Sequence, residues 1–179
     1  MKRLVIVGAS GMVGGYALLY ALEDANVERV MSVGRRNLGI SHSKLTEVLH
    51  PDFVDCSALA ETLSGQDAAV YCLGTHTGAV SDAELRRITL DYTIEFARVL
   101  RGSSPDAVFT FLSGNGADPT ERSWRAFARY KGAAEKALLA ARASSRLRTT
   151  FNFLGKAGTA KPTRRTSRGA PRKRGAGSG

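Results

Sequence analysis

Apolar positions in this chain gather into short runs rich in β-branched residues, separated by longer stretches with helical spacing. Runs at Leu4–Val7, Arg29–Val33, Lys44–Leu49, Ala68–Leu73, Ala107–Ser113 and Arg148–Phe153 predict six strands. Helical spacing recurs at about 12–23, 57–64, 82–101 and 122–142, and the last two segments are long and amphipathic. Parallel neighbours need crossover connections, so this alternation predicts an α/β fold built on a doubly wound parallel sheet. Gly102-Ser103-Ser104-Pro105 closes one long helix, and Gly114-Asn115-Gly116 opens a loop directly after the fifth strand.

The pattern stops after Phe153. From Gly155 to Gly179 there is no Val, Ile, Leu, Phe, Met, Trp or Tyr. Such a segment cannot bury enough apolar surface to offset its ordering entropy and is expected to be disordered. The expected organisation is therefore one domain, 1–153, followed by a basic low-complexity tail, 154–179. The tail also relocates the charge. Of 26 basic residues, eight lie in 156–179 with no acid among them, so 18 basic residues face 16 acidic ones in the remainder. The formal charge of +10 thus belongs to the tail, and the predicted domain carries about +2. Two readings of the tail compete: a basic arm that touches nucleic acid or an acidic partner, or a truncation or frameshift product in place of the C-terminal substrate region. The second is favoured, and with it only weak, sequence-indifferent nucleic-acid binding through the tail.

Other bulk features narrow the classes. A hydrophobic fraction of 43% and a charged fraction of 23% are those of a globular domain. No apolar stretch approaches the roughly 20 residues of a membrane span, and no leader precedes the first strand, so a cytoplasmic protein without a membrane partner is expected. Cys56 and Cys72 form no C-x-x-C pair and suggest neither a disulfide framework nor a metal site.

The chemistry is concentrated where the predicted strands end. Gly8-Ala9-Ser10-Gly11-Met12-Val13-Gly14 breaks the first strand with three glycines spaced three apart, and an amphipathic helix follows at once. That layout receives a dinucleotide pyrophosphate: Gly8 permits the turn, Gly11 lets backbone approach the phosphates, and Gly14 lets helix and strand pack closely. The N–H groups opening the helix, from Ser10 through Met12 and Val13, then face the anion with the helix dipole behind them. After the second strand, where an acid would read the ribose of NAD, stand Gly34-Arg35-Arg36. Two guanidiniums there match a 2′-phosphate and point to NADP(H) over NAD(H), or else they are solvated loop arginines.

Asp52-Phe53 follows the third strand and is placed to meet an adenine ring, Asp52 being equally a turn residue. Leu73-Gly74-Thr75 ends the fourth strand at the edge where open α/β sheets bind ligands, although Gly74 also reads as a plain turn. Ser113 ends the fifth strand at the same edge, available to a carbonyl substrate or simply turning the chain. The last predicted helix carries Tyr130-Lys131. A tyrosine four residues from a lysine would make a proton-donor pair, the ammonium lowering the phenol pKa.

Taken in order, Gly8-x-x-Gly11-x-x-Gly14, Gly34-Arg35-Arg36, Asp52, Leu73-Gly74-Thr75, Leu112-Ser113-Gly114-x-Gly116-Ala117-Asp118 and Lys131-Gly132-x-x-Glu135 resemble the atypical short-chain dehydrogenase/reductases. The likeness is to the NAD(P)H-binding, Tat-interacting-protein-like branch, neighbour of the NmrA-like proteins, and covers about residues 1–153. It implies a Rossmann fold, an NADP(H) site, a lysine that holds the nicotinamide ribose, and a Ser–Tyr–Lys arrangement. Ser113 and Lys131 occupy two of the three places. Four residues before Lys131 stands Phe127, which has no proton to give, whereas Tyr130 is about 100° away around the helix. Tyr130 completes the set only by local distortion and is otherwise a half-buried helix residue.

Two function classes follow. One is a short-chain-type oxidoreductase passing hydride between NADP(H) and a small carbonyl or alcohol. The other is a non-catalytic NADP(H)-binding regulatory or interaction module. An acyl-transfer dehydrogenase would need a reactive thiolate, and both cysteines read as packed thiols. The long helices offer faces for a homodimer, unless those faces cover the sheet.

Overall fold

A computed structural model describes residues 1–76, 78–143 and 148–154 of the chain. The predicted tail, with its nucleic-acid reading, lies outside the described residues. Six strands form a single parallel sheet: β1 (Lys2–Val7), β2 (Val27–Gly34), β3 (Leu45–Leu49), β4 (Ala68–Tyr71), β5 (Val108–Gly114) and β6 (Arg148–Leu154). Their order, β3-β2-β1-β4-β5-β6, is that of a Rossmann sheet. The order reverses at β1, so a crevice opens between the carboxyl ends of β1 and β4, the switch point at which such sheets bind ligands.

Alternation along β1 divides the interior into two cores. Ile6 points to one face, where Leu18 and Leu22 of helix α1 (Met12–Glu23) pack with Val27 and Val30. Val5 and Val7 point to the other face and meet Tyr71, Phe109, Phe111, Phe96 and Leu138. That second face is covered by the β4–β5 crossover and by helix α4 (Ala126–Ala143). The crossover runs as helix α2 (Asp82–Arg86), a π-type turn over Arg87–Asp91, and helix α3 (Tyr92–Ser103). The helix faces therefore cover the sheet, and the sheet is doubly wound as expected.

The six predicted strands are all present, and two helical segments need correction. Residues 57–64 form only one 3₁₀ turn, Ser57–Leu59, followed by turns. Gly65 stops the segment at φ +69, and a side chain from far along the chain secures it. The buried Ser104 hydroxyl donates to the Leu63 carbonyl at 2.7 Å and accepts from the Gln66 amide at 2.9 Å. Ser104→Ala leaves both backbone groups without that partner and is expected to cost about 1.5 kcal/mol in a urea unfolding titration. A change below about 0.5 kcal/mol would show that solvent replaces the clamp. The helix predicted at 122–142 begins only at Ala126. The Asp118 carboxylate takes the amides of Arg122 and Ser123, at 2.9 and 2.6 Å, and holds that stretch as a loop. The Thr120 hydroxyl, together with these amides and that of Thr120 itself, holds the Asp118 carboxyl below the usual carboxylate range.

Candidate functional site

The turn after β1 is shaped by two close approaches. Gly8 has φ +83, and a Cβ there would lie 2.9 Å from the backbone of Cys72 and Leu73. A Cβ on Gly14 would come within 2.2 Å of the Gly8 carbonyl oxygen, so α1 starts hard against the turn. Gly11 caps α1 without a side-chain hydrogen bond, and the first turn holds no acid. The helix therefore presents backbone N–H groups and the positive end of its dipole to the crevice.

A cleft of about 300 Å³ lies beside this turn. Gly11, Met12, Val13 and Gly14 form one wall, and Leu73, Gly74 and Thr75 from the end of β4 form the floor. Ser113 enters from β5, and Phe127 and Lys131 enter from α4. Past the glycine turn, a second depression is bounded by Gly8, Ser10, Ser32, Arg35, Arg36 and Leu73. The two concavities flank the turn. The sequence-predicted residues at the ends of β1, β2, β4 and β5 are thus brought to one edge of the sheet. Arg35 and Arg36 are both exposed, and neither makes an ion pair among the described residues.

Two predicted cofactor residues behave differently. The Phe53 side chain is fully buried among His50, Tyr92 and Phe96, so it belongs to the core and leaves only backbone for a nucleotide. Asp52 is exposed and accepts the Val54 amide at 3.0 Å, closing its own turn.

Helix α4 positions the polar end of the cleft. Lys131 is 6% exposed, donates to the Leu112 carbonyl at 2.6 Å, and lies 4.3 Å from the centre of the Phe111 ring. Burial lowers its amine pKa to about 8, with nearby Cys72 and Glu135 pulling in the opposite direction. Ser113, also buried, donates its hydroxyl to Glu135, one turn beyond Lys131 on the same face of α4. Tyr130 does not join them. Its hydroxyl donates to Asp82 at 2.5 Å, and that bond with burial raises the phenol pKa, opposite to what a proton donor needs. Phe127, four residues before Lys131, lines the cleft, and its ring packs so close that a Cβ on Gly114 would meet its Cζ at 2.6 Å.

Several cleft residues escaped sequence reasoning. Cys72 follows β4 and lines the cleft, so it is not the packed strand thiol expected. Burial raises its thiol pKa while Lys131 lowers it. Cys56, fully buried, is pushed up to about 12 by burial, as expected of a packed thiol. His76 and Thr89 also line the cleft, Thr89 being delivered by the π-type turn, for which the sequence carries no local signal. Glu135 was legible as the i+4 neighbour of Lys131, but its bond to Ser113 was not. Among the described residues, no three metal-ligating side chains come together. No described helix is long and apolar enough to cross a membrane.

No protein-family model matches the sequence. The chain is 28% identical over 142 residues to protein fmp52, mitochondrial, of Aspergillus niger, covering 76% of this chain and 59% of that protein. It is 29% identical over 119 residues to protein HTATIP2 of Rattus norvegicus, covering 65% of this chain and 49% of the relative. The chain thus spans about half to three-fifths of the length of these relatives. In structure it is similar to uronate dehydrogenase from Agrobacterium tumefaciens, with a TM-score of 0.70 and 17% identity over 83% of this chain and 59% of that one. It is also similar to the Bordetella bronchiseptica enzyme WbmG in complex with NAD, with a TM-score of 0.65 and 12% identity over 84% of this chain and 52% of that one. The sequence carries the likeness to atypical short-chain dehydrogenase/reductases of the Tat-interacting-protein-like branch, and the fold is one they share.

Proposed function

We propose that this chain binds NADP(H) and passes hydride between it and a small carbonyl or alcohol. One observation carries the reading: the uncapped start of α1 stands between a concavity holding Ser113 and Lys131 and another holding Arg35 and Arg36. A dinucleotide needs that sequence of contacts. Its pyrophosphate would be held by the Met12–Gly14 amides, its 2′-phosphate by Arg35 and Arg36, and its nicotinamide ribose by Lys131. The close approach of Gly14 to Gly8 fits this group, since a side chain at Gly14 would push α1 away from the turn. When bound, the cofactor supplies the hydride carrier. The whole protein's substrate is proposed only at the level of class, because the relatives extend well beyond the matched region.

Isothermal titration of NADP⁺ and NAD⁺ tests the cofactor. The wild type should favour NADP⁺, and an Arg35→Ala, Arg36→Ala double variant should lose roughly thirtyfold in NADP⁺ affinity, about 2 kcal/mol for a charge-assisted phosphate contact, with NAD⁺ binding unchanged. Equal wild-type affinities would refute the NADP(H) assignment. A second reading is favoured by Phe127, whose ring takes the place of a proton donor: an NADP(H)-binding module without turnover. NADPH oxidation against a panel of aldehydes and ketones separates the two. Turnover abolished by Lys131→Ala excludes the module, and tight binding with no turnover favours it.

A further inference from the structure

Ser113 lines the cleft, and the hydrogen of its hydroxyl is already committed. It is donated to the Glu135 carboxylate, which does not itself line the cleft. A serine hydroxyl has one hydrogen and two lone pairs. With the hydrogen held by a carboxylate, Ser113 Oγ can accept a hydrogen bond and has none to give. A carbonyl oxygen, itself an acceptor, gains nothing from such a serine, whereas an alcohol O–H does. Of the groups beside it, Phe127 is apolar and the Tyr130 hydroxyl is turned to Asp82, while the Lys131 ammonium gives one of its three N–H groups to Leu112.

We infer that Glu135 is a positioning residue that makes Ser113 a hydrogen-bond acceptor, so that the cleft selects the alcohol form of a substrate over the carbonyl form. The inference rests on reading this cleft as the reacting end of an NADP(H) site. It also gives the proton a path in the oxidative direction. The alcohol proton passes to Ser113 Oγ as the serine proton passes to Glu135, and the carboxylate becomes a carboxylic acid. With the cofactor bound, the C–H electron pair would leave as hydride to the oxidised nicotinamide it supplies as the C=O bond forms, leaving Ser113 a neutral hydroxyl and the proton on Glu135.

The test uses the full chain loaded with NADP⁺, with loading checked by calorimetry. Cyclohexanol and cyclohexanone are the probes, and their affinities are read by ligand-observed NMR titration for the wild type, Glu135→Ala and Ser113→Ala. Glu135→Ala removes the carboxylate that takes the serine hydrogen and frees Ser113 to donate it. The wild type should bind cyclohexanol about tenfold more tightly than cyclohexanone, the value of one hydrogen bond. Glu135→Ala should abolish or invert that preference, and Ser113→Ala should erase it, with NADP⁺ loading measured for each variant. Thr75, His76, Thr89 and Lys131 line the cleft in all three proteins, so their contributions cancel in the comparison. A wild type without preference, or a preference untouched in Glu135→Ala, overturns the inference. Should Glu135→Ala fail to fold, Ser113→Ala decides: a preference that survives it overturns the inference. Failure of the wild type to bind NADP⁺ refutes the cofactor reading instead, and the inference with it.

Discussion

Gly132→Ala is expected to lower the melting temperature by roughly 6–12 °C, the equivalent of about 3 kcal/mol in a domain of this size. Gly132 follows Lys131 on α4, and a Cβ there would lie 2.0 Å from the Asp118 carbonyl carbon, 2.1 Å from its oxygen and 2.4 Å from Pro119 N. All three are backbone atoms, and the loop that carries them is pinned. The Asp118 amide donates to the Ala128 carbonyl at 2.8 Å, while its carboxylate holds Thr120, Arg122 and Ser123. Replacing glycine by alanine inside a helix gains about 1 kcal/mol of propensity. Overpacking against fixed backbone costs more, here about 4 kcal/mol, above the usual range because no flexible side chain can yield. The clash therefore wins. Because Lys131 is the preceding residue, the same variant should also weaken NADP⁺ binding. Thermal unfolding by circular dichroism checks the first expectation, and a shift smaller than about 2 °C would mean that the loop is not pinned.

Lys131→Met is expected to act in the opposite direction on stability, and the effect should depend on pH. The native amine loses its proton near pH 8, because burial disfavours its charge, whereas in the unfolded chain it holds the proton to about pH 10.4. Between these values the unfolded state binds more protons, so stability rises with pH across that window. Below it the folded protein carries the full cost of a buried ammonium, about 3 kcal/mol. Methionine removes the charge but forfeits the bond to the Leu112 carbonyl and the contact with the Phe111 ring, together about 1 kcal/mol. Near neutral pH the variant should thus be about 2 kcal/mol more stable, roughly 4–8 °C. The difference should shrink as pH rises through about 8 toward 10, with NADP⁺ affinity lost throughout. Melting curves of both proteins over that range provide the check. A variant less stable at neutral pH, or a difference that does not change with pH, would contradict the burial argument.

Much of this architecture was legible because it is local. Short apolar runs marked all six strands, and the strand-to-helix break at Gly8 and Gly14 marked the turn that opens the crevice. Where the sequence misled, a distant partner was responsible. Residues 57–64 have helical spacing, yet Ser104 and Gly65 hold them as turns. Residues 122–125 could extend α4, yet the Asp118 carboxylate takes the Arg122 and Ser123 amides. Phe53 sat at a plausible cofactor position, but its ring has more to gain among Tyr92 and Phe96 than at a solvent-facing edge.

By itself, the sequence determined the kind of sheet and the edge at which its chemistry collects, since both follow from periodicity and from glycines whose role is set within a few residues. The direction of each polar side chain was decided only in the tertiary structure. Tyr130 turns to Asp82, 48 residues away, and Ser113 donates a hydrogen bond to Glu135 across the β5–α4 packing. Hydrogen-bond partners of that kind are chosen by how elements pack in three dimensions, and no spacing along the chain encodes them.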